Sequence, residues 1–189
     1  SVTLGSEHPH LAVNGNIPIL PTMGRVEFLV SVDQQTTGGR VMRLTDFSDS
    51  DPIEFGVDIT SNRKLRVYRT GSDIHSFETQ TSGSLPVWSM THVVIQQQGF
   101  GVMVYFDGVA QTTNSTTNGN HWMHGLQTNR IDFGDSFDGS FEGKLGALII
   151  DETPLSPQTI NRRSNVGHPF ARFEFEAPLG ITSEISTSG

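Results

Sequence analysis

From Arg25 to Asp33 apolar and polar residues alternate, with Val26, Phe28, Val30 and Val32 on one side and Glu27, Leu29, Ser31 and Asp33 on the other. A period of two sustained over eight residues predicts a half-buried strand. Gly38-Gly39 breaks the pattern, and Val41 to Leu44 opens the next strand. Ile53 to Ile59 and Lys64 to Tyr68 are predicted strands joined by Thr60-Ser61-Asn62-Arg63, a run of turn formers. Thr91 to Gln96 and Gly101 to Phe106 predict a hairpin around Gln97-Gln98-Gly99. Asp107-Gly108 supplies a tight turn, because glycine accepts the positive φ such turns need. Arg130 to Phe133 and Lys144 to Asp151 are further strands. Residues 71–83 are polar and give no clear pattern, and residues 111–120 (QTTNSTTNGN) read as a polar loop without packing content.

The ends carry less pattern. Residues 1–22 are punctuated by Pro, Gly and Asn and predict one short strand plus loop. Phe170 to Glu176 alternates again and predicts a returning strand beside Val2 to Leu4. Pro157 to Arg163 is the only plausible helix, with proline near its start. Many short strands and hardly any helix predict an all-β, antiparallel two-sheet β-sandwich of the jelly-roll kind. The expected organisation is an N-terminal strand and loop (1–22), the sandwich (23–167) and a C-terminal strand or arm (168–189). Its predicted core holds Trp88, Val94, Val104, Phe106, Leu145 and Ile149.

Composition narrows the function classes. A chain of 189 residues buries roughly 70% of its unfolded surface. It has no cysteine, which excludes disulfides, thiol catalysis and cysteine zinc sites. Twelve basic against twenty acidic residues give a net charge of −8, and Arg162-Arg163 is only a pair. Without a basic stripe, nucleic acid is not an expected partner. No apolar run approaches the ~20 residues that span a bilayer, and no signal peptide is recognisable, so membrane insertion is not expected.

The order of motifs is more specific. Trp88 precedes His92-Val93-Val94, the next strand closes in Val104-Tyr105-Phe106-Asp107-Gly108, and Phe141-x-Gly143-x-Leu145 runs through Leu148 and Ile150 into Leu155-Ser156-Pro157-Gln158-Thr159-Ile160. This order resembles the concanavalin A-like lectin/glucanase superfamily, in its laminin G-like and pentraxin-like branch, over about residues 24–165. One departure is an extra residue or two between Trp88 and His92. Gly134 to Phe141 is similar to a pentraxin calcium-site segment. Only Asp135 matches cleanly there, and the pentraxin cysteine pair is missing, so a double-calcium site of that type is not expected. The resemblance implies a jelly roll whose relatives include lectins, adhesion modules, glycosidases and virion parts.

Candidate sites follow from residue chemistry. Calcium needs six to eight hard oxygens, so bunched carboxylates are the minimum signal. Asp46, Asp49 and Asp51 form one such bunch, and Asp132, Asp135 and Asp138, with Glu142, another. Neither has EF-hand spacing; if a metal is bound, it is calcium. His121 and His124 have a His-x-x-His spacing without a third ligand in view. Trp122, flanked by those histidines and by Asn120, has the character of a stacking platform for a sugar's apolar face. The Glu-x-Asp-x-(x)-Glu strand of glycosidases on this scaffold is absent. Glu54 and Asp58 share parity and are the best residual carboxylate pair; Glu174 and Glu176 share it in a terminal strand.

The expectation is therefore a non-catalytic recognition or adhesion module that binds a glycan or surface polysaccharide, at a bacterial or phage surface. The rival is a structural virion protein (decoration, tail or capsid-associated) whose arms clasp a neighbouring subunit. A polysaccharide-degrading enzyme on the same scaffold is the third reading.

Overall fold

The computed structural model describes residues 2–4, 11–14, 24–33, 38–46, 53–71, 76–97, 101–116, 130–133 and 143–165. Among the described residues thirteen strands and one helix run in the order β1 (Val2–Leu4), β2 (Leu11–Asn14), β3 (Gly24–Val32), β4 (Gly39–Asp46), β5 (Ile53–Ile59), β6 (Lys64–Thr70), β7 (Phe77–Ser84), β8 (Thr91–Gln97), β9 (Val102–Phe106), β10 (Val109–Ala110), β11 (Thr113–Thr116), β12 (Arg130–Phe133), β13 (Gly143–Asp151) and α1 (Pro157–Asn165). Six strands form one sheet in the order β1-β13-β3-β8-β9-β10, and seven form the other in the order β11-β7-β6-β5-β4-β12-β2. The paired strands are antiparallel throughout.

The two-residue period makes the core. Val26, Phe28, Val30 and Val32 of β3 join Val93 and Ile95 of β8 and Leu145 of β13 against Met42, Leu44, Phe55, Val57, Leu65 and Val67 of the opposite sheet. The predicted core residues Val104, Phe106 and Leu145 are there. Val94 is also buried, but on the other side of the six-stranded sheet, with Tyr105 and Ile160 of α1. Ile149 is only partly buried.

That second cluster corrects the half-buried reading of β3. Arg25, Glu27 and Leu29, on its supposedly wet side, are buried as well. The physical reason is α1: Ser156 caps it, accepting from the Thr159 N–H at 3.2 Å, and Pro157 fixes its first residue. Gln96 then clasps the chain ahead of the helix, donating to the Leu155 carbonyl at 3.0 Å and accepting from its N–H at 2.9 Å.

Trp88 is not a core residue. The residue is 67% exposed and its backbone is left-handed, with φ of 61°. The residues between Trp88 and His92 set the tryptophan outside β8, and Leu85, 1% exposed, takes the buried position in that segment. A second correction concerns residues 111–120: Thr113–Thr116 pairs with β7 as a sheet-edge strand. The Asp107-Gly108 turn is as expected, with both residues at positive φ (46° and 82°), the pattern of a type I′ turn. The first residues hold two strands rather than one, β1 on Gly143–Leu145 and β2 on β12. The returning strand expected at 170–176 lies outside the described residues.

Candidate functional site

The outward face of the seven-stranded sheet carries the densest chemistry among the described residues. Cross-strand register sets Arg40 opposite Asp58, Arg43 opposite Gly56 and Thr45 opposite Glu54; beyond them Tyr68 faces Gly56 and Arg66 faces Asp58. Asp132 lies opposite Arg43. Because alternate residues share a face, these groups stand together on one side of β12, β4, β5 and β6.

Gly56 organises the middle. A Cβ there would sit 2.2 Å from the Tyr68 ring, so the absent side chain is what lets the tyrosine lie across β5. Its hydroxyl donates to Glu54 Oε1 at 2.7 Å and accepts from Arg40 Nη2 at 2.8 Å. The Arg66 guanidinium caps the same ring, 4.7 Å from its centroid. Arg40 also stands 3.4 Å from Glu54 and 3.6 Å from Asp58. Arg43 bridges Glu54 (3.5 Å) and Asp132 (3.1 Å), and Arg66 bridges Asp58 (3.6 Å) and Glu78 (3.3 Å).

The electrostatics fix which atoms donate. Burial, the Asp58 charge and the hydrogen bond to Glu54 push the Tyr68 hydroxyl above its ordinary range, so it stays a neutral donor. Burial works against a charged Arg40, but Tyr68, Glu54 and Asp58 outweigh it and raise its pKa. The centre is buried at Arg40 and Tyr68, whereas the Arg66 and Glu78 side chains are 39% and 54% exposed. What the face offers is a rigid row of guanidinium forks and carboxylates, open along its β6–β7 side.

A second polar cluster lies between β3, β8 and α1. Glu27 accepts from His92 Nε2 at 2.9 Å, from Arg163 at 2.8 and 3.1 Å and from Arg25 Nε at 3.1 Å. Ser164 Oγ is 2.7 Å from His92 Nδ1. Burial alone would raise the Glu27 carboxyl, but the His92 hydrogen bond and the Arg163 charge prevail and hold it below its ordinary value. An ionised Glu27 only accepts, so Nε2 of His92 carries a proton. Serine, histidine and glutamate in this order look like a nucleophile and its base. Here Phe28, Ala147 and Ile149 close around Glu27 and His92 without room for a ligand, and two arginines hold the carboxylate. The cluster fastens α1 to the sheet.

The sequence-predicted site residues scatter. Trp122, His121, His124 and Asn120 lie outside the described residues, as do Asp49, Asp51, Asp135, Asp138, Glu142, Glu174 and Glu176. Asp46 ends β4, paired with Ile53. Asp132 is buried, 1% exposed, and accepts from Arg43 at 3.1 Å. Among the described residues no three His, Asp or Glu side chains group as a metal site. Glu54 and Asp58 do share one face, as their parity required, with Gly56 between them. The arginines and Tyr68 around them were missed; an isolated glycine inside the Ile53–Ile59 pattern was the available signal.

Residues 26–161 match a laminin G-type family of the concanavalin A-like lectin/glucanases superfamily, and the chain belongs to it. Compared with curated protein sequences, the chain finds no match. Among solved structures it is similar to the native heptameric SAP-like pentraxin from Limulus polyphemus, at 16% identity and a TM-score of 0.62, over 94% of this chain and 89% of that one. It is similar to the CBM40 of the Ruminococcus gnavus IT-sialidase, also solved with α2,3-sialyllactose; for the CBM40 alone, identity is 9%, the TM-score 0.57, and coverage 76% of this chain and 83% of that one. It is also similar to domain 4 of AbnA, a GH43 extracellular arabinanase from Geobacillus stearothermophilus, solved with arabinotriose (17% identity, TM-score 0.54, 76% and 66% coverage). Two of these three neighbours are parts of glycosidases. No helix among the described residues is long and apolar enough to cross a membrane.

Proposed function

We propose that this chain is a non-catalytic carbohydrate-recognition module, working outside the cell at a bacterial or phage surface, and that the outward face of its seven-stranded sheet holds the glycan. The observation that carries the reading is the row of fixed donors and acceptors formed by Arg40, Arg43, Glu54, Asp58, Arg66, Tyr68 and Glu78. Vicinal sugar hydroxyls are donor and acceptor at once, and Arg66 and Glu78 meet both needs at the open side, held in place by the buried groups behind them. The neighbours solved with sialyllactose and arabinotriose support the reading at the level of the scaffold.

The same geometry argues against hydrolysis at this face. Glu54 and Asp58 both stand against Arg40, at 3.4 and 3.6 Å, so its guanidinium fills the space between the two carboxylates that a scissile bond or an attacking water would need. Each is also held by arginines.

The test is a glycan array followed by calorimetry on its strongest hit, with Arg66→Ala and Glu78→Ala. Both side chains stand at the open side, so the variants should fold normally and lose at least tenfold in affinity, about 1.4 kcal/mol. Unchanged affinity in both variants would remove the site from this face; an empty array would remove the carbohydrate reading.

A further inference from the structure

We propose that Trp88 is a second saccharide contact, a stacking platform for the apolar face of a pyranose in an oligosaccharide, at the end of the sandwich rather than on the sheet face. The inference rests on the carbohydrate-recognition reading and adds a contact that the sheet face does not contain.

A single exposed aromatic is ordinary on a protein surface. Trp88 combines exposure with two further features. Its φ of 61° puts a bulky side chain in the left-handed region, where such residues are true outliers. Its backbone is also held there: the Trp88 N–H donates to the Val32 carbonyl at 3.0 Å, and Val87 bridges Val32 in parallel. Just before it, buried Leu85 donates to the Arg63 carbonyl at 2.8 Å and accepts from Arg63 Nε at 3.2 Å. Arg63 is itself left-handed, with φ of 58°. The loop is thus fixed up to the strained residue by these bonds, and beyond it by the pairing of Thr91 with Val30 where β8 begins. The strain is not used to bury the indole, since the residue is 67% exposed. Strained residues that the surroundings over-determine are characteristic of ligand clamps.

The surroundings select the ligand class. The Thr60–Arg63 turn, closed by Arg63 N–H to the Thr60 carbonyl at 2.8 Å, leaves Ser61 and Asn62 exposed beside the Leu85 anchor, and Ser89 is exposed next to the indole. A rigid indole with neutral hydroxyl and amide groups nearby suits a pyranose that presents C–H groups on one face and hydroxyls at its edge. The Arg63 Nε is spent on the Leu85 carbonyl, which ties the guanidinium to the same anchor as the loop.

The chain has two tryptophans, so Trp122→Phe leaves Trp88 as the only indole. In that background, cellotetraose and lacto-N-neotetraose are titrated by intrinsic fluorescence and calorimetry. The expected result is a blue shift of emission on saturation by one of them. Trp88→Asn, which keeps a residue tolerant of the left-handed conformation, should lose at least tenfold in affinity with an equal or higher Tm. A saccharide that binds without moving the emission, and equally well to Trp88→Asn, overturns the inference and leaves the sheet-face reading standing. Failure of both saccharides to bind the wild type by calorimetry, as well as this background, overturns it too, and the array then decides the broader reading separately. A Tm lowered as by a core truncation makes the indole structural. A self-association of the wild type that Trp88→Asn abolishes in sedimentation gives the indole to a protein contact instead.

Discussion

Glu27 shows how a residue on the polar side of an alternating strand becomes part of the interior. It is 1% exposed and takes hydrogen bonds from His92, Arg163 and Arg25. Its folded pKa lies below the ordinary 4.5, so the unfolded chain takes up the proton first as pH falls. The stability contributed by ionised Glu27 is therefore full above about pH 4.5 and is lost as pH drops through the lower folded value. Urea unfolding across pH 7 to 3 should show this loss in the wild type. Glu27→Gln should cost about 3–5 kcal/mol at pH 7, because it strands buried cationic partners, and should flatten the slope below pH 4.5. Equal acid slopes in the two proteins would show that Glu27 is not the titrating group. The sequence placed Glu27 correctly on its face of β3, but its partner Arg163 lies 136 positions away and no local pattern joins them. Trp88 failed for a related reason: the motif order suggested burial, and a left-handed backbone, which sequence pattern does not report, turned the indole outward.

The elements were legible where one face is apolar. β3, β5, β6, β8, β9 and β13 alternate or run apolar into the core, and their predicted positions agree with the structure. β7 was not legible, because threonine fills inward places: Thr79 and Thr81 are buried where a valine would have announced a strand; β11 (Thr113–Thr116) contains no apolar residue at all. α1 was visible from Ser156-Pro157, yet its docking face was not, since one buried apolar residue in nine makes no stripe. That residue, Ile160, is fully buried with Val94 and Tyr105. Ile160→Ala should cost about 2–5 kcal/mol, by loss of burial plus the cavity left behind. Chemical denaturation measures it, and hydrogen exchange should show Glu27, His92 and Val94 exchanging sooner. A cost within about 0.5 kcal/mol, the range of a neutral surface change, would mean that α1 is held by its polar clasp alone.

For the whole molecule, the sandwich was readable because motif order along the chain reports it, whereas the charged face draws on β4, β5, β6 and β12 and exists only after they pair. The same distinction bears on calcium, which we propose for the aspartates of the acidic stretches 46–51 and 132–138 on their carboxylate chemistry. The chain is acidic overall, at −8, and crowded carboxylates gain from a cation that binds only the folded state. Asp132 does not fit that need, because Arg43 already neutralises it in a buried pair. The expectation therefore separates the aspartates. In thermal melts, millimolar calcium should raise Tm over EDTA, by about 2.7 kcal/mol at a hundredfold excess over Kd, or roughly 5–10 °C for a chain of this size. Asp49→Asn or Asp135→Asn should abolish that response at the stretch concerned. Asp132→Asn should instead lower Tm equally with calcium and with EDTA, since what it loses is Arg43. A wild-type midpoint that is the same in both conditions would leave the aspartates of both stretches as ordinary acidic residues, and the sheet face would then hold its glycan by protein groups alone.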